Sequence, residues 1–288
     1  MQKENSINSI TIIGVGLIGG SLGLALKNRF PSITITGVGR NLNRLTLAQK
    51  SGCVDKVTTD LAFGVKDADI VVVCTPIKLT IEFIRKILPL VKQGCVITDV
   101  ASIKYKIIDD LKTDVQKFRK IKDISFVGSH PIAGAEKSGF EYASKDLFKN
   151  SVCVVCYDKK LSSQDAFRKI KFLWKSVGAK VVHLDAKTHD KILAATSHLL
   201  HLISYGLVKQ IASRKNYLTF TAGAYRDMTR IASSNPSLWA EICYFNRSFV
   251  LDEMNRFLKV IKQFKERLND FKKLKRQIIN SYKLKVRS

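Results

Sequence analysis

The stretch "GVGLIGGSLG", residues 14–23, decides the fold class. It follows the apolar run "SITII" and opens a helical pattern that continues to about residue 30. Its glycines have G-x-G-x-x-G spacing: the first permits a tight turn, the second lets the backbone approach a pyrophosphate, and the third lets the helix pack on the strand. The alternative is a tight turn without a ligand. The stretch predicts a dinucleotide-binding unit whose ligand contacts come from Gly14, Gly16, Leu17, Ile18 and Gly19.

Two kinds of pattern divide the chain. Short apolar runs alternate with amphipathic stretches up to about residue 185, which is typical of βαβ units around a parallel sheet. One long helical pattern then covers residues 186–212, and strand-like alternation does not return. We predict an α/β protein with a Rossmann-type, doubly wound, mostly parallel sheet over residues 1–185 and an all-helical domain over residues 186–288. The active site is expected at their junction.

The second predicted strand ends in "ITGVGRN", residues 35–41, without the acidic residue that usually holds the adenine ribose. Gly39 and Arg40 stand there instead. Without a carboxylate, a 2′-phosphate is not repelled, and Arg40 can pair with it while Asn41 assists. This end of the second strand therefore favours binding of NADP over binding of NAD. Alternatively, Arg40 lies flat on the adenine ring, which suits either cofactor.

Two later strand ends also reach the carboxyl edge of the predicted sheet, where ligands of doubly wound folds bind. "CTP" brings Thr75 and Pro76 to the cofactor cleft. "DVASIK" brings Asp99 and Ser102 into the same crevice, where Ser102 meets a substrate oxygen or instead caps the next helix. These residues extend the predicted site beyond the glycine turn.

Three histidines are candidates for chemistry. His130 follows a strand in "GSHPIAG", where an imidazole suits proton transfer near neutral pH; a hydrogen-bonded structural histidine is the alternative. His198 and His201 lie one helical turn apart in "TSHLLH" and should share a face. They lack a further ligand in a metal-binding pattern, so the sequence predicts no metal site and favours substrate contact or packing.

The segment "AYRDMTRIASSNPSLW" offers Arg226, Arg230 and Trp239. Arginine binds a carboxylate through two parallel hydrogen bonds, which makes either arginine a candidate clamp for an anionic substrate. The alternative for Arg226 or Arg230 is a surface ion pair with Asp227.

Composition limits the function classes. The chain has 288 residues, 45% of them hydrophobic, and a net charge of +25 spread over both halves. We find no signal peptide and no transmembrane run, and expect a cytoplasmic protein without a membrane role. Nucleic-acid binding is not favoured, because basic and aromatic residues do not interleave as in an RNA-binding motif. The cysteines lie mostly in strand-like runs and are expected to be buried thiols.

In order and spacing, the motifs quoted above resemble those of the prephenate and arogenate dehydrogenases of tyrosine biosynthesis. The resemblance extends from about residue 10 to about residue 256. It implies NAD(P)-dependent oxidative decarboxylation of prephenate or arogenate: hydride leaves the ring carbon that bears the hydroxyl, the hydroxyl proton goes to a base, and carbon dioxide departs. It also implies a homodimer formed through the helical domains.

The resemblance also assigns roles to residues. His130 matches the catalytic histidine, and Ser102 matches the serine that helps to hold the substrate hydroxyl. Arg230 matches the arginine that binds the side-chain carboxylate, and His201 and Trp239 match residues near the substrate. One departure is Leu200, which replaces a usual proline, so that the helix can lack a kink and displace His201.

Two alternatives remain from other classes. The first is a two-domain dehydrogenase of the 3-hydroxyacid or 6-phosphogluconate type, which would use a lysine such as Lys187 or Lys191 on the interdomain helix. "GSHPIAG" has no place in that mechanism. The second is a basic nucleotide- or RNA-binding protein, whose affinity would fall steeply with salt.

Overall fold

The computed structural model describes residues 7–134 and 137–287. The strands are β1 (Ser9–Ile13), β2 (Thr34–Val38), β3 (Lys56–Thr58), β4 (Ile70–Val73), β5 (Val96–Asp99), β6 (Ser125–Pro131), β7 (Val152–Cys156) and β8 (Lys180–His183). The first six helices are α1 (Leu17–Arg29), α2 (Leu42–Lys50), α3 (Leu61–Val65), α4 (Ile77–Ile87), α5 (Tyr105–Lys122) and α6 (Gln164–Ser176). The others are α7 (Ala186–Leu193), α8 (Leu199–Ala212), α9 (Gly223–Thr229), α10 (Pro236–Phe245), α11 (Arg247–Arg267) and α12 (Phe271–Arg287).

The strands form one sheet in the order β3-β2-β1-β4-β5-β6-β7-β8. β1 pairs in parallel with both β2 and β4, so the strand order reverses there and opens a crevice at the carboxyl ends. Gly14 has a φ of +93°, and a Cβ atom on it would lie 2.5 Å from the carbonyl oxygen of Cys74. The glycine turn and the "CTP" strand end therefore line the same crevice.

The far edge of the sheet departs from the parallel arrangement. β6 pairs with β7 in the antiparallel direction, and β7 pairs with β8 in parallel. The prediction of a mostly parallel, doubly wound sheet followed by a helical region is confirmed. The sequence pattern does not predict β3, because three residues at a sheet edge are too few to show a period of two.

A long helical segment connects the sheet to the C-terminal region. α7 and α8 follow one another through a π-helical turn, Ala194–His198, within the span predicted as a single helix. Single π turns inside α-helices often mark functional sites. In the part of the chain that the structure describes, no helix is long and apolar enough to cross a membrane.

The two cysteines of β7 are core residues. Cys153 and Cys156 are both buried and free, and Cys153 packs in the hydrophobic cluster on one face of the sheet. Burial raises the pKa of the Cys156 thiol to about 12. Both therefore behave as the small buried hydrophobes that their strand predicts.

A buried ion pair at the end of β5 supports the neighbouring strand β6, which carries His130. Lys104 and Asp99 are each 0% exposed, and the Lys104 ammonium contacts the Asp99 carboxylate. Asp99 also accepts hydrogen bonds from the backbone N–H groups of Ala101 and Ser129, at 3.0 and 3.1 Å. The predicted cofactor contact of Asp99 is therefore wrong, because the residue has no surface that a ligand could touch.

Replacing Lys104 with methionine should lower the free energy of unfolding by about 3–5 kcal/mol, because it leaves the Asp99 carboxylate buried and uncompensated. The double variant Lys104→Met/Asp99→Asn should recover part of this loss. Urea unfolding measures the free energy of unfolding of both variants. The matched control is Lys106→Met, which breaks the half-exposed ion pair with Asp110 and should cost no more than about 1 kcal/mol. Equal stability of Lys104→Met and the wild type would contradict the account of this pair.

Candidate active site

The turn between β1 and α1 is shaped for a close ligand. A Cβ atom on Gly19 would lie 2.4 Å from the carbonyl oxygen of Gly14, so this glycine is required for packing. A Cβ atom on Gly16 would meet nothing within 4 Å, so the space beside this glycine is open. Gly16 is the N-cap of α1, which has no side-chain cap and no acidic residue in its first turn. The half-buried N–H groups of Leu17 and Ile18 belong to this first turn, and this end of the helix therefore fits a pyrophosphate.

The end of β2 carries basic groups. Arg40 is exposed, and Asn41 is the N-cap of α2, where its side chain accepts a hydrogen bond from the N–H of Arg44 at 3.1 Å. The Arg44 guanidinium pairs with the Glu141 carboxylate at 2.8 Å. Asn41 therefore has a structural role, and Glu141 neutralises one of the two arginines at this end of the crevice.

The "CTP" strand end connects the sheet domain to the helical region. Pro76 is exposed at the N-cap of α4, and the Thr75 hydroxyl lies 3.0 Å from that of Thr80. The backbone N–H of Ile77 donates to the Glu241 carboxylate of α10 at 3.0 Å. A side chain of the helical region thus caps a helix at the edge of the crevice.

Three polar side chains form a buried chain at the junction of the two regions. His130 Nδ1 lies 2.8 Å from His189 Nε2, and His189 Nδ1 lies 2.6 Å from an Asp190 carboxylate oxygen. His130 is 7% exposed, His189 0% and Asp190 1%. β6 supplies the first of these residues and α7 the other two.

Asp190 also anchors α5 of the sheet domain. Its carboxylate accepts hydrogen bonds from the backbone N–H groups of Lys104 and Tyr105, at 2.8 and 2.9 Å. These are donor groups at the N-terminus of α5, so Asp190 does the capping that was the alternative role for Ser102. Ser102 itself is half-buried in the loop between β5 and α5.

The other two candidate histidines lie on either side of an indole ring. The His201 ring stacks on Trp239 with centroids 3.2 Å apart, and the His198 ring meets the same indole edge-on at 6.1 Å. Both histidines therefore share a face, as predicted, and Leu200 lies in α8 directly after the π-helical turn Ala194–His198. His201 Nδ1 lies 3.1 Å from the carbonyl oxygen of Ser197, and His198 Nδ1 lies 3.0 Å from the Asn246 amide nitrogen.

Burial keeps these rings neutral. It lowers the pKa of His130 well below the ordinary 6.5, and the neighbouring His189, Lys104 and His198 lower it further because they disfavour a charge on this ring. The pKa of His198 falls to about 4, chiefly through burial, against the opposing effect of the Asp190 carboxylate. Burial also lowers the pKa of His201. At neutral pH, His130 is thus an uncharged base.

The four candidate cations of the helical region have exposed side chains. Arg226 and Arg230 are exposed on α9 and just after it. Lys187 and Lys191 are exposed on α7 and point onto the rings of Tyr105 and Phe249, at 5.0 and 5.8 Å. The lysines therefore do not take the place of a catalytic base in the junction.

Sequence analysis missed four residues of the junction: His189, Asp190, Glu241 and Asn246. A histidine–aspartate pair inside an otherwise amphipathic helix is a detectable pattern, but its partners are distant in the chain. His130 is 59 residues from His189, and Ile77 is 164 residues from Glu241. Only the fold brings them together.

Comparisons with known proteins agree with this architecture. Residues 22–183 match the family model of the prephenate dehydrogenase nucleotide-binding domain, and residues 185–278 match that of the prephenate dehydrogenase dimerization domain. The chain is 33% identical to the prephenate dehydrogenase of Bacillus subtilis, over 88% of this chain and 68% of that protein. It is 30% identical to the cyclohexadienyl dehydrogenase of Zymomonas mobilis, over 89% and 87%.

A solved structure resembles the whole chain. The prephenate dehydrogenase of A. aeolicus, in complex with hydroxyphenyl propionate and NAD+, has a TM-score of 0.89 at 27% identity and covers 98% of both chains. The first domain is therefore a nicotinamide-cofactor-binding domain, and the second belongs to a dimerization domain family. Fold, motif order and both domain matches show that this chain is a dehydrogenase of the prephenate dehydrogenase family.

Proposed function

We propose that this protein oxidatively decarboxylates prephenate, arogenate or both. The family and the names of its relatives support this substrate class. The observation that carries the proposal is a buried, uncharged His130 whose Nδ1 is engaged by His189, which assigns Nε2 to the substrate. The nicotinamide, when bound, accepts the hydride. His130 accepts the proton of the ring hydroxyl, and Ser102 helps to hold that hydroxyl.

The substrate pocket is assigned to the helical region. His201 and the face of Trp239 form one wall, and Arg230 binds the side-chain carboxylate by a bidentate pair. Prephenate and arogenate share this carboxylate and the ring hydroxyl, so these residues serve either substrate. The residues that would hold the pyrophosphate of the cofactor are those of the glycine turn, Gly14, Gly16, Leu17, Ile18 and Gly19, and Thr75 and Pro76 would lie beside it.

Replacing His130 with asparagine should lower kcat by about 10²–10⁴-fold with prephenate or arogenate, because the base is lost. For the wild type, kcat/KM should be flat above pH 6.5 and fall only at lower pH, since the folded-state pKa of His130 lies well below 6.5 and activity requires the neutral ring. Steady-state assays from pH 5 to 9 measure the kcat of His130→Asn and the pH dependence of kcat/KM in the wild type. His183→Asn, on the exposed end of β8, is the control. A fully active His130→Asn enzyme would remove the base assignment.

We further propose that the enzyme prefers NADP over NAD. The exposed Arg40 and the α2 N-terminus, which has no acidic residue in its first turn, provide positive potential for a 2′-phosphate. A Cβ atom on Gly39 would lie 3.2 Å from the Leu45 side chain, so an aspartate fits there after a small shift.

The variant Arg40→Ala should lower kcat/KM for NADP by about 10-fold or more, the range of a charged hydrogen bond, and leave NAD within about 3-fold. Gly39→Asp should move the preference toward NAD, because its carboxylate accepts from the ribose hydroxyls and repels the phosphate. Lys50→Ala, at the far end of α2, should leave kcat/KM unchanged for both NADP and NAD. A lower KM for NAD than for NADP that Arg40→Ala does not alter would overturn the preference.

We also propose that residues 1–185 bind the cofactor and that residues 186–288 bind substrate and pair two chains into a homodimer. The match to a dimerization domain supports the pairing. So do large apolar side chains left exposed in the helical region, among them Phe220 at 84% and Phe271 at 75%.

Light scattering should therefore give about twice the 32.3 kDa mass of one chain across a wide concentration range. Dilution to the working concentration of the enzyme assay should not change this mass, because an interface that buries such side chains is expected to be permanent. A mass of one chain at every concentration would contradict the proposal.

A further inference from the structure

The chain of side chains behind His130 sets the direction of its hydrogen bonds. Both carboxylate oxygens of Asp190 accept backbone N–H groups, so this side chain acts as an acceptor on every side. His189 Nδ1, 2.6 Å from that carboxylate, must then carry the proton. In a neutral ring His189 Nε2 is left as an acceptor, and it lies 2.8 Å from His130 Nδ1.

One proton occupies the contact between the two imidazoles. If His189 Nε2 accepts, His130 Nδ1 donates, and His130 Nε2 carries the lone pair. The opposite arrangement would place a second proton on His189, which is 0% exposed, and would block His130 as a base.

We propose that His189 and Asp190 are positioning residues that hold His130 with Nδ1 protonated, so that Nε2 takes the substrate proton. The proposal rests on the proposed function. When His130 Nε2 accepts the hydroxyl proton, the positive charge is shared along the chain toward Asp190. The step balances as follows: the ring C–H bond would supply a hydride to the nicotinamide, the O–H bond gives its proton to His130, and the electron pair of the broken C–CO2 bond completes the aromatic ring as a phenolate.

The same chain couples the base to the domain junction. Asp190 lies on α7, and the helix that it caps, α5, belongs to the sheet domain. Asn246, which lies between α10 and α11, donates to the carbonyl oxygen of Asp190 at 2.9 Å and so holds this turn of α7. The orientation of His130 therefore depends on contacts from both domains, not only on its own strand.

Two amide variants at one position isolate the contact. The side-chain amide of His189→Gln can accept from His130 Nδ1, because a glutamine amide lies about where the distal ring nitrogen lies. The shorter amide of His189→Asn reaches only as far as the proximal nitrogen and leaves His130 without its partner. Both replace a buried ring with a polar group, so loss of packing affects both.

We expect His189→Asn to lose about 10²–10³-fold in kcat, with KM for substrate and cofactor within about 3-fold, and His189→Gln to stay within about 10-fold of the wild type. Thermal unfolding verifies that each variant is folded. If either amide variant is poorly folded, His189→Leu replaces it in the test, and this variant should lose as much kcat as we expect for His189→Asn. His183→Leu, an exposed histidine of β8, is the control and should match the wild type.

Four results are decisive. Wild-type kcat in His189→Asn or His189→Leu overturns the positioning role, as does a variant in which only KM changes. Equal losses in the Asn and Gln variants also overturn it, since they point to packing alone. An inactive wild type with both prephenate and arogenate overturns the proposed function, and with it this role, and is thereby distinguished from the first three results.

Discussion

The carboxylate of Asp190 is the constraint on which the candidate site depends. It binds two backbone N–H groups at the start of α5 and the ring N–H of His189, all from within the junction of the two regions. A buried carboxylate is stable only when its acceptor sites are filled, so the first turn of α5, the interdomain helix and the histidine pair must form together. A single buried carboxylate thus joins α5 to α7 and sets the direction of the hydrogen bonds toward His130.

A second buried charge holds the other side of His130. Asp99 accepts from the N–H of Ser129, the residue just before His130, and is compensated by Lys104. Lys104 also gives its backbone N–H to Asp190. The carboxylates of Asp99 and Asp190 therefore both bind residues of the short loop between β5 and α5. Asp99 also binds β6, the strand that carries His130, and Asp190 binds the His189 ring next to His130.

Local chemistry made much of the fold predictable. The glycine turn, the buried strands and the change to helix at residue 186 each follow from periodicity and from backbone conformations that glycine alone adopts easily, as at Gly14. The position of a candidate residue was predictable where its side chain stands at a strand end, as with His130. The sequence did not predict contacts that depend on burial or on distant partners. Asp99 also stands at a strand end but is buried, and the partner of His189, His130, is 59 residues away in the chain.

In the proposed site, the helical region fixes the tautomer of His130. Nitrogen-15 NMR of histidine-labelled protein at neutral pH measures this tautomer directly, because protonated and bare ring nitrogens have distinct shifts. We expect His130 and His189 both to be protonated at Nδ1 and bare at Nε2. A proton on Nε2 of His130, with Nδ1 bare, would contradict it.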